Sequence, residues 1–270
     1  MKASRVFLLD GGTLEMDGFH IFWNRGPGGP VRIPCYSVLI DHPEGKILFD
    51  TGFGLEHTQR VLPFEKPEQT PEQSVPGQLA LAGYRVDEVT HVVNSHFHFD
   101  HCGANDLLHN ASFFCHRLEY EAAEHPQSFE ALGYSDLSFA PQIERIPVGG
   151  RPDTRAQGVG TFRPRFELLS GDTEILDGVR LIETPGHSAG HCSLLVELDS
   201  GRKMLFTADA AYGSRSLETG CIASFHFDPV ASVKSMERLA SLAKEEGCEL
   251  FFSHEAESFA QYIRAPGFYS

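Results

Sequence analysis

Basic residues are scarce in this chain: 22 Lys and Arg stand against 37 Asp and Glu in 270 residues, a formal charge of −15. A phosphate backbone needs clustered cations to hold it, so nucleic acid is excluded as an expected partner. Nor does the N-terminus carry a long apolar run. Residues 1–10 hold two basic side chains, a short apolar stretch and then charge, which fits neither a secretory signal nor a membrane span. No membrane partner and a cytoplasmic location are therefore expected. The six cysteines include no C-x-x-C pair, and most should be reduced, buried, small apolar residues.

Against these absences stands one dense segment. His96, His98, Asp100 and His101 fall within six residues, just past an apolar run at 89–94 that reads as a buried strand. Imidazoles at i and i+2 on extended chain point the same way, and a bend after them can turn Asp100 and His101 toward a second position. Neutral imidazoles with a carboxylate suit zinc, and also iron, manganese or cobalt. Cys102 adjoins the segment as a weaker ligand candidate.

The rest of the chain supplies a frame. Residues 5–9, 19–23, 35–40 and 46–49 read as strands, by β-branched and aromatic content with Gly and Pro between them. The hairpin that ends in Asp50 is echoed at 193–209, where it ends in Asp209, which suggests two similar halves packed face to face. Residues 62–76 read as a Pro-rich surface loop, 78–82 and 117–124 as helices, 141–164 as loop, and 166–184 as two strands around a Gly171-Asp172 turn. Asp228 and Pro229 open a helix whose buried stripe is Val230, Val233, Met236, Leu239, Ala240 and Ala243, with Gly247 as its stop. A strand at 250–252 then leads to His254. Strands alternating with hairpins and helices imply an α/β sandwich, with residues 1–270 as one domain. Asp50, residues 96–101, His191, Asp209 and His254 all follow strand ends, where such sheets place ligand crevices.

Alone, His191 reads as a core histidine after a turn, Asp209 as a strand-end turn residue and His254 as a surface histidine. Their order, together with the 96–101 segment and the Asp50-Thr51-Gly52 turn, resembles the metallo-β-lactamase superfamily over nearly the whole chain. The resemblance implies an αββα sandwich, two mixed β-sheets flanked by helices, and two zinc ions per chain. It implies that His96, His98 and His191 hold one metal and Asp100, His101 and His254 the other, with Asp209 bridging. Asp50 would orient an imidazole. His187 belongs on this reading to the approach turn and is left out, and His226 borders the pocket.

Tyr212, three residues after Asp209, is similar to the tyrosine of the quorum-quenching lactonase branch. Three non-ligand motifs narrow the resemblance: Phe22-Trp23-Asn24-Arg25-Gly26-Pro27-Gly28-Gly29, Leu62-Pro63-Phe64-Glu65-Lys66-Pro67, and the stretch from Leu132-Gly133-Tyr134 to Phe139. With the histidine segment they look like 4-pyridoxolactonases, enzymes of vitamin B6 degradation. The resemblance implies a small lactone as partner, 4-pyridoxolactone opened to 4-pyridoxate, with Asp100 carrying the proton and Tyr212 holding the oxyanion. Trp23 would offer a flat face and Arg25 a fork of donors to the substrate; their plain readings are a core aromatic and a solvated charge. N-acyl-homoserine lactone hydrolysis is the alternative within the branch, and a non-catalytic metal-binding scaffold the alternative outside catalysis. A monomer or small homo-oligomer fits either.

Overall fold

The computed structural model of the protein describes residues 1–134 and 164–270. Its strands form two mixed sheets. The first runs, in spatial order, β1 (Arg5–Asp17), β2 (Pro30–His42), β3 (Gly45–Phe49), β4 (His91–Val93), β5 (Ser112–His116) and β6 (Phe166–Leu169). The second contains β7 (Thr173–Leu176), β8 (Val179–Glu183), β9 (Cys192–Glu197), β10 (Lys203–Phe206) and β11 (Glu249–Phe251), in reverse spatial order. The helices are α1 (Gly18–Ile21), α2 (Leu55–Val61), α3 (Val75–Leu81), α4 (Phe99–Cys102), α5 (Arg117–Glu124), α6 (Ser214–Thr219), α7 (Pro229–Glu246) and α8 (Ala256–Phe259).

Alternation along the strands feeds three layers. Val6, Leu8, Ile40 and Phe49 meet Leu181, Leu194, Val196 and Phe206 between the sheets. Phe7, Leu9, Leu39 and Val92 face outward onto Leu79 of α3, and Ile182, Leu195 and Leu205 face outward onto Leu239 and Ala243 of α7. Each sheet is thus buried on both faces, which is why its strands read as continuous apolar runs. Each such side chain contributes about 1.5–3 kcal/mol by leaving water. Helix, sheet, sheet and helix follow in the order expected of an αββα sandwich.

The repeated hairpin is architectural. β2 and β3 pair antiparallel, and β3 then lies parallel to β4; β9 and β10 pair antiparallel, and β10 lies parallel to β11. In each half the residue past the second strand donates its N–H to the third: Asp50 to the Val93 carbonyl at 3.0 Å, Thr207 to the Phe251 carbonyl at 2.9 Å. The chain then turns sharply in both halves, with Asp50 at φ +58° and Ala208 at φ +43°. Non-glycine residues in that region carry strain that surrounding contacts must hold.

Several local expectations need correction. β1 does not stop at Leu9 but runs on to Asp17 through a bulge between Asp10 and Thr13, where Gly12 takes φ +94°. The stretch 19–23 is not a strand: the Asp17 carboxylate accepts from the Phe19 N–H at 2.9 Å and caps α1. Residues 62–76 contain two 3-10 turns, Pro63–Glu65 and Pro71–Gln73, and α2 precedes them. In α7 the cap at Asp228 and the stop at Gly247 are found, but Val230 is 62% exposed and Ala240 is exposed as well. The buried face is Ser232, Ser235, Met236, Leu239 and Ala243, because the first turns pack on a polar loop; Ser235 donates to the Pro185 carbonyl at 2.7 Å. Helix 117–124 coincides with α5. Residues 135–139 of the third motif, and all but the last residue of the expected loop 141–164, lie outside the described residues. No disulfide joins any of the six cysteines, and five are buried. No helix among the described residues is long and apolar enough to cross a membrane.

Candidate metal centre

Asp50 organises the first half of the site. Its carboxylate is buried and accepts from the Ser95 N–H at 2.7 Å, the Ser95 hydroxyl at 2.7 Å and His101 Nδ1 at 2.8 Å. Since the Ser95 hydroxyl proton is committed to Asp50, its oxygen accepts from His96 Nδ1 at 2.9 Å. His254 Nδ1 lies 2.9 Å from the Pro34 carbonyl, which can only accept. These contacts set three tautomers alike, with the proton on Nδ1 and a bare lone pair on Nε2. The Nε2 atoms of His96, His101 and His254 are all buried and without a hydrogen-bond partner.

Asp209 faces the same space. One carboxylate oxygen is 3.1 Å from His101 Nε2 and 3.2 Å from His254 Nε2, in neither case with hydrogen-bond geometry; the other is 3.3 Å from His187 Nε2. Asp100 lies 3.6 Å from both His101 and His254 Nε2. Acceptors that converge without donors between them are costly when buried, and a cation resolves that cost. Two groups of three emerge: His96, His98 and His187, and His96, His101 and Asp209, each with ligand atoms within 4.8 Å of one another. Asp100, His254 and Cys35 form a third at the same spacing. Burial, and then the Asp100 and Asp209 charges, push the Cys35 thiol well up, so it stays a small protonated packing residue. Cys102 points its thiol at the Phe97 and His98 carbonyls, away from the centre.

The two halves of the Thr-Pro-Gly-His-Ser-Ala-Gly-His segment exchange the roles expected of them. His187 enters the cluster, its Nε2 2.9 Å from His98 Nδ1, whereas both nitrogens of His191 are occupied. His191 Nδ1 faces the Thr184 carbonyl at 3.1 Å, and its Nε2 accepts the Asp209 N–H at 3.0 Å. His191 therefore has no lone pair to offer and instead fixes the backbone that carries Asp209. Gly186, at φ +135°, turns His187 inward, and a Cβ there would collide with the Ser232 backbone nitrogen of α7.

Electrostatics divide the imidazoles into two groups. Burial lowers His98 to about 4 and His191 to about 3, and it holds His96 and His187 well below the usual histidine range. For His101 and His254 burial acts the same way, but Asp209 and Asp100 outweigh it and raise both. Asp209, though buried, is held well down by His254, His101 and His187. Cation binding would replace this internal charge pairing and displace those protons.

Glu119 of α5 joins the two loops that carry His96, His98 and His187. Its fully buried carboxylate accepts from the Phe97 N–H at 2.9 Å on one side, and from the Ser188 hydroxyl at 2.6 Å and the Gly190 N–H at 3.1 Å on the other. Burial pushes its carboxyl up to about 7 against the pull of these donors. A lone glutamate on a polar helix carries no sequence signal for this role.

A cavity of about 420 Å³ opens over the cluster. His98, Asp100, His187, Asp209 and Tyr212 line its floor, and Met16, His20, Leu62, Phe64, Glu65, Phe129, Leu132 and His226 are among its walls. Tyr212 is buried, its ring 4.7 Å from that of His254; burial, and then Asp209 and Asp100, hold its phenol well above its ordinary range, so it keeps its proton. Trp23 and Arg25 do not line the cavity. The Trp23 ring packs 4.5 Å from that of His226, which does, and Arg25 donates to the Thr219 carbonyl at 3.3 Å. Glu65 lines the cavity from within the supposed surface loop, only 7% exposed, with one carboxylate oxygen lacking a partner. Burial, and then the charge of Asp100, push its carboxyl up to about 7.

The family model of the metallo-beta-lactamase superfamily matches residues 30–254. The chain belongs to the metallo-beta-lactamase superfamily. Within it, the relatives point to the lactonase branch. The N-acyl homoserine lactonase AttM of Rhizobium johnstonii is 30% identical over 277 residues, spanning 100% of both chains. An N-acyl homoserine lactonase of Bacillus thuringiensis is 28% identical, over 97% of this chain and 100% of the relative. A solved N-acyl homoserine lactone hydrolase, with the product N-hexanoyl-L-homoserine at its catalytic metal centre, superposes with a TM-score of 0.81 at 27% identity over 100% of each chain.

Proposed function

We propose that this superfamily member is a metal-dependent lactonase that holds two divalent cations, zinc in the first instance, and opens small lactone rings. One observation carries the proposal: bare, buried imidazole and carboxylate acceptors converge at the floor of a cavity that a protonated tyrosine also lines. His96, His98 and His187 would hold one cation and Asp100, His101 and His254 the other, with Asp209 between them. When bound, the cations supply Lewis acidity and lower the pKa of water to roughly 7.

The chain's own groups account for the remaining chemistry. Water adds to the ester carbonyl carbon, the acyl–oxygen bond of the ring breaks, and one proton must move from the water to the departing alkoxide. Asp100, on the cavity floor beside His101 and His254, takes that proton and returns it to the alcohol. The Tyr212 hydroxyl donates to the developing oxyanion, worth about 3 kcal/mol in a water-excluded site. Apolar walls at Leu62, Phe64, Phe129 and Leu132 limit competing water around the ring.

For the substrate, we take 4-pyridoxolactone as the first reading. Its support is that the motifs resembling 4-pyridoxolactonases supply cavity walls: Leu62, Phe64 and Glu65 from one, Leu132 and Gly133 from another, while Trp23 of the third backs His226. N-acyl homoserine lactones are the second reading, favoured by the names of the full-length relatives and by the same apolar walls, which would accept an acyl chain. Activity in either case excludes the non-catalytic scaffold. Parallel assays of 4-pyridoxolactone and N-hexanoyl-homoserine lactone, with metal analysis on the same sample, decide between them. A higher kcat/KM on the homoserine lactone overturns the first reading, and no turnover of either lactone by fully loaded protein overturns both.

A further inference from the structure

Glu65 closes the 3-10 turn Pro63–Glu65, a position from which a charged side chain ordinarily reaches water. Here the side chain turns inward. The nearby cations are engaged elsewhere: Lys66 pairs with Glu15, and Arg32 with Glu68 at 2.6 Å and Glu15 at 3.9 Å. Glu65 thus lines the cavity together with Phe64, Phe99, Asp100 and Tyr212, and it carries one buried oxygen, Oε2, that accepts no hydrogen bond. A desolvated acceptor with no donor costs stability unless something else completes it.

We propose that Glu65 is a specificity-determining residue, which accepts a hydrogen bond from an N–H or O–H carried by the ring system of the substrate. The site would then select heteroaromatic lactones bearing such a donor over lactones of the same shape without one. The inference rests on the lactonase reading and sharpens its substrate class. The selection follows from asymmetry: a ring that carries the donor relieves the unsatisfied oxygen, whereas a donor-free ring leaves it unsatisfied, so only the donor-bearing substrate gains. Phe64, Phe99 and Phe129 line the same cavity and offer apolar aromatic surface to a planar bicycle.

The test compares 4-pyridoxolactone, which carries a ring hydroxyl and a pyridine nitrogen, with phthalide, a benzo-fused lactone with neither, in metal-loaded wild type, Glu65→Gln and Glu65→Leu. The expected result is a wild-type preference for 4-pyridoxolactone that falls about 10- to 100-fold in Glu65→Leu, chiefly through KM, and is largely restored in Glu65→Gln, whose side-chain carbonyl still accepts. The melting temperature of Glu65→Leu should equal or exceed that of wild type, because an orphaned buried carboxylate is removed. Both lactones falling by the same factor, or an unchanged preference, overturns the inference and leaves the lactonase reading intact. Wild type that opens acyl-homoserine lactones alone overturns the ring-donor assignment, and wild type that opens no lactone overturns the function and the inference together.

Discussion

Removing the Glu119 carboxylate should loosen both the fold and the metal centre. In Glu119→Ala, the Phe97 and Gly190 N–H groups and the Ser188 hydroxyl all lose an acceptor in a site with no exposure to solvent. Each bond to an ionised group is worth about 1.5–3 kcal/mol, but water entering the vacated space recovers part of it. The net loss should be about 3–5 kcal/mol. For a chain of this size, each kcal/mol moves the melting temperature by roughly 2–4 °C, so Glu119→Ala should melt about 6–20 °C below wild type. In Glu119→Gln, one oxygen still serves the Ser188 and Gly190 side while the amide nitrogen meets the Phe97 N–H donor to donor. Its loss should be intermediate, about 1–3 kcal/mol. The two loops carry His96, His98 and His187, so metal affinity should follow the same order, with wild type tightest and the alanine variant weakest. Calorimetric melting of the metal-free proteins and competitive chelator titration give the two readouts. Glu119→Ala with unchanged melting temperature and unchanged metal affinity would refute the reasoning.

Other expectations follow from single contacts. Tyr212→Phe should lower kcat about 10²-fold with metal content retained, and unchanged turnover would remove the phenol from the chemistry. Gly190→Ala should cost about 1–3 kcal/mol in denaturant unfolding, because a Cβ there would collide with the Glu119 backbone nitrogen; a neutral effect would mean that the two segments separate freely. Asp228→Ala removes the acceptor for the Val230 and Ala231 N–H groups at 2.8 and 3.0 Å and should lose about 1 kcal/mol, read as a shift of a few degrees in melting temperature.

The architecture was legible because two buried sheets write themselves as apolar runs and because the hairpin recurs with an aspartate at each end. The same repetition located Asp50 and Asp209 at equivalent turns before any contact was known. Spacing could not separate His187 from His191, since both sit in one glycine-rich segment. The difference lies in the backbone: the turn at Gly186 aims one ring at the cluster, while the other ring stands at the start of β9 and is bonded on both nitrogens. Glycines also hid the length of β1, because a bulge looks like a strand end in sequence. The inward placement of Glu65, visible in the sequence only as part of a motif, and of Glu119 was hidden for a common reason. A glutamate in a polar stretch reads as solvated, and only the packing of distant segments reverses that.

The most direct measurement is metal stoichiometry in folded wild type, His187→Ala and His191→Asn, with circular dichroism to verify the fold. Wild type should bind two cations per chain, His187→Ala should lose one, and His191→Asn should retain both. One cation or fewer in fully loaded wild type, or loss in His191→Asn with retention in His187→Ala, would contradict the centre described.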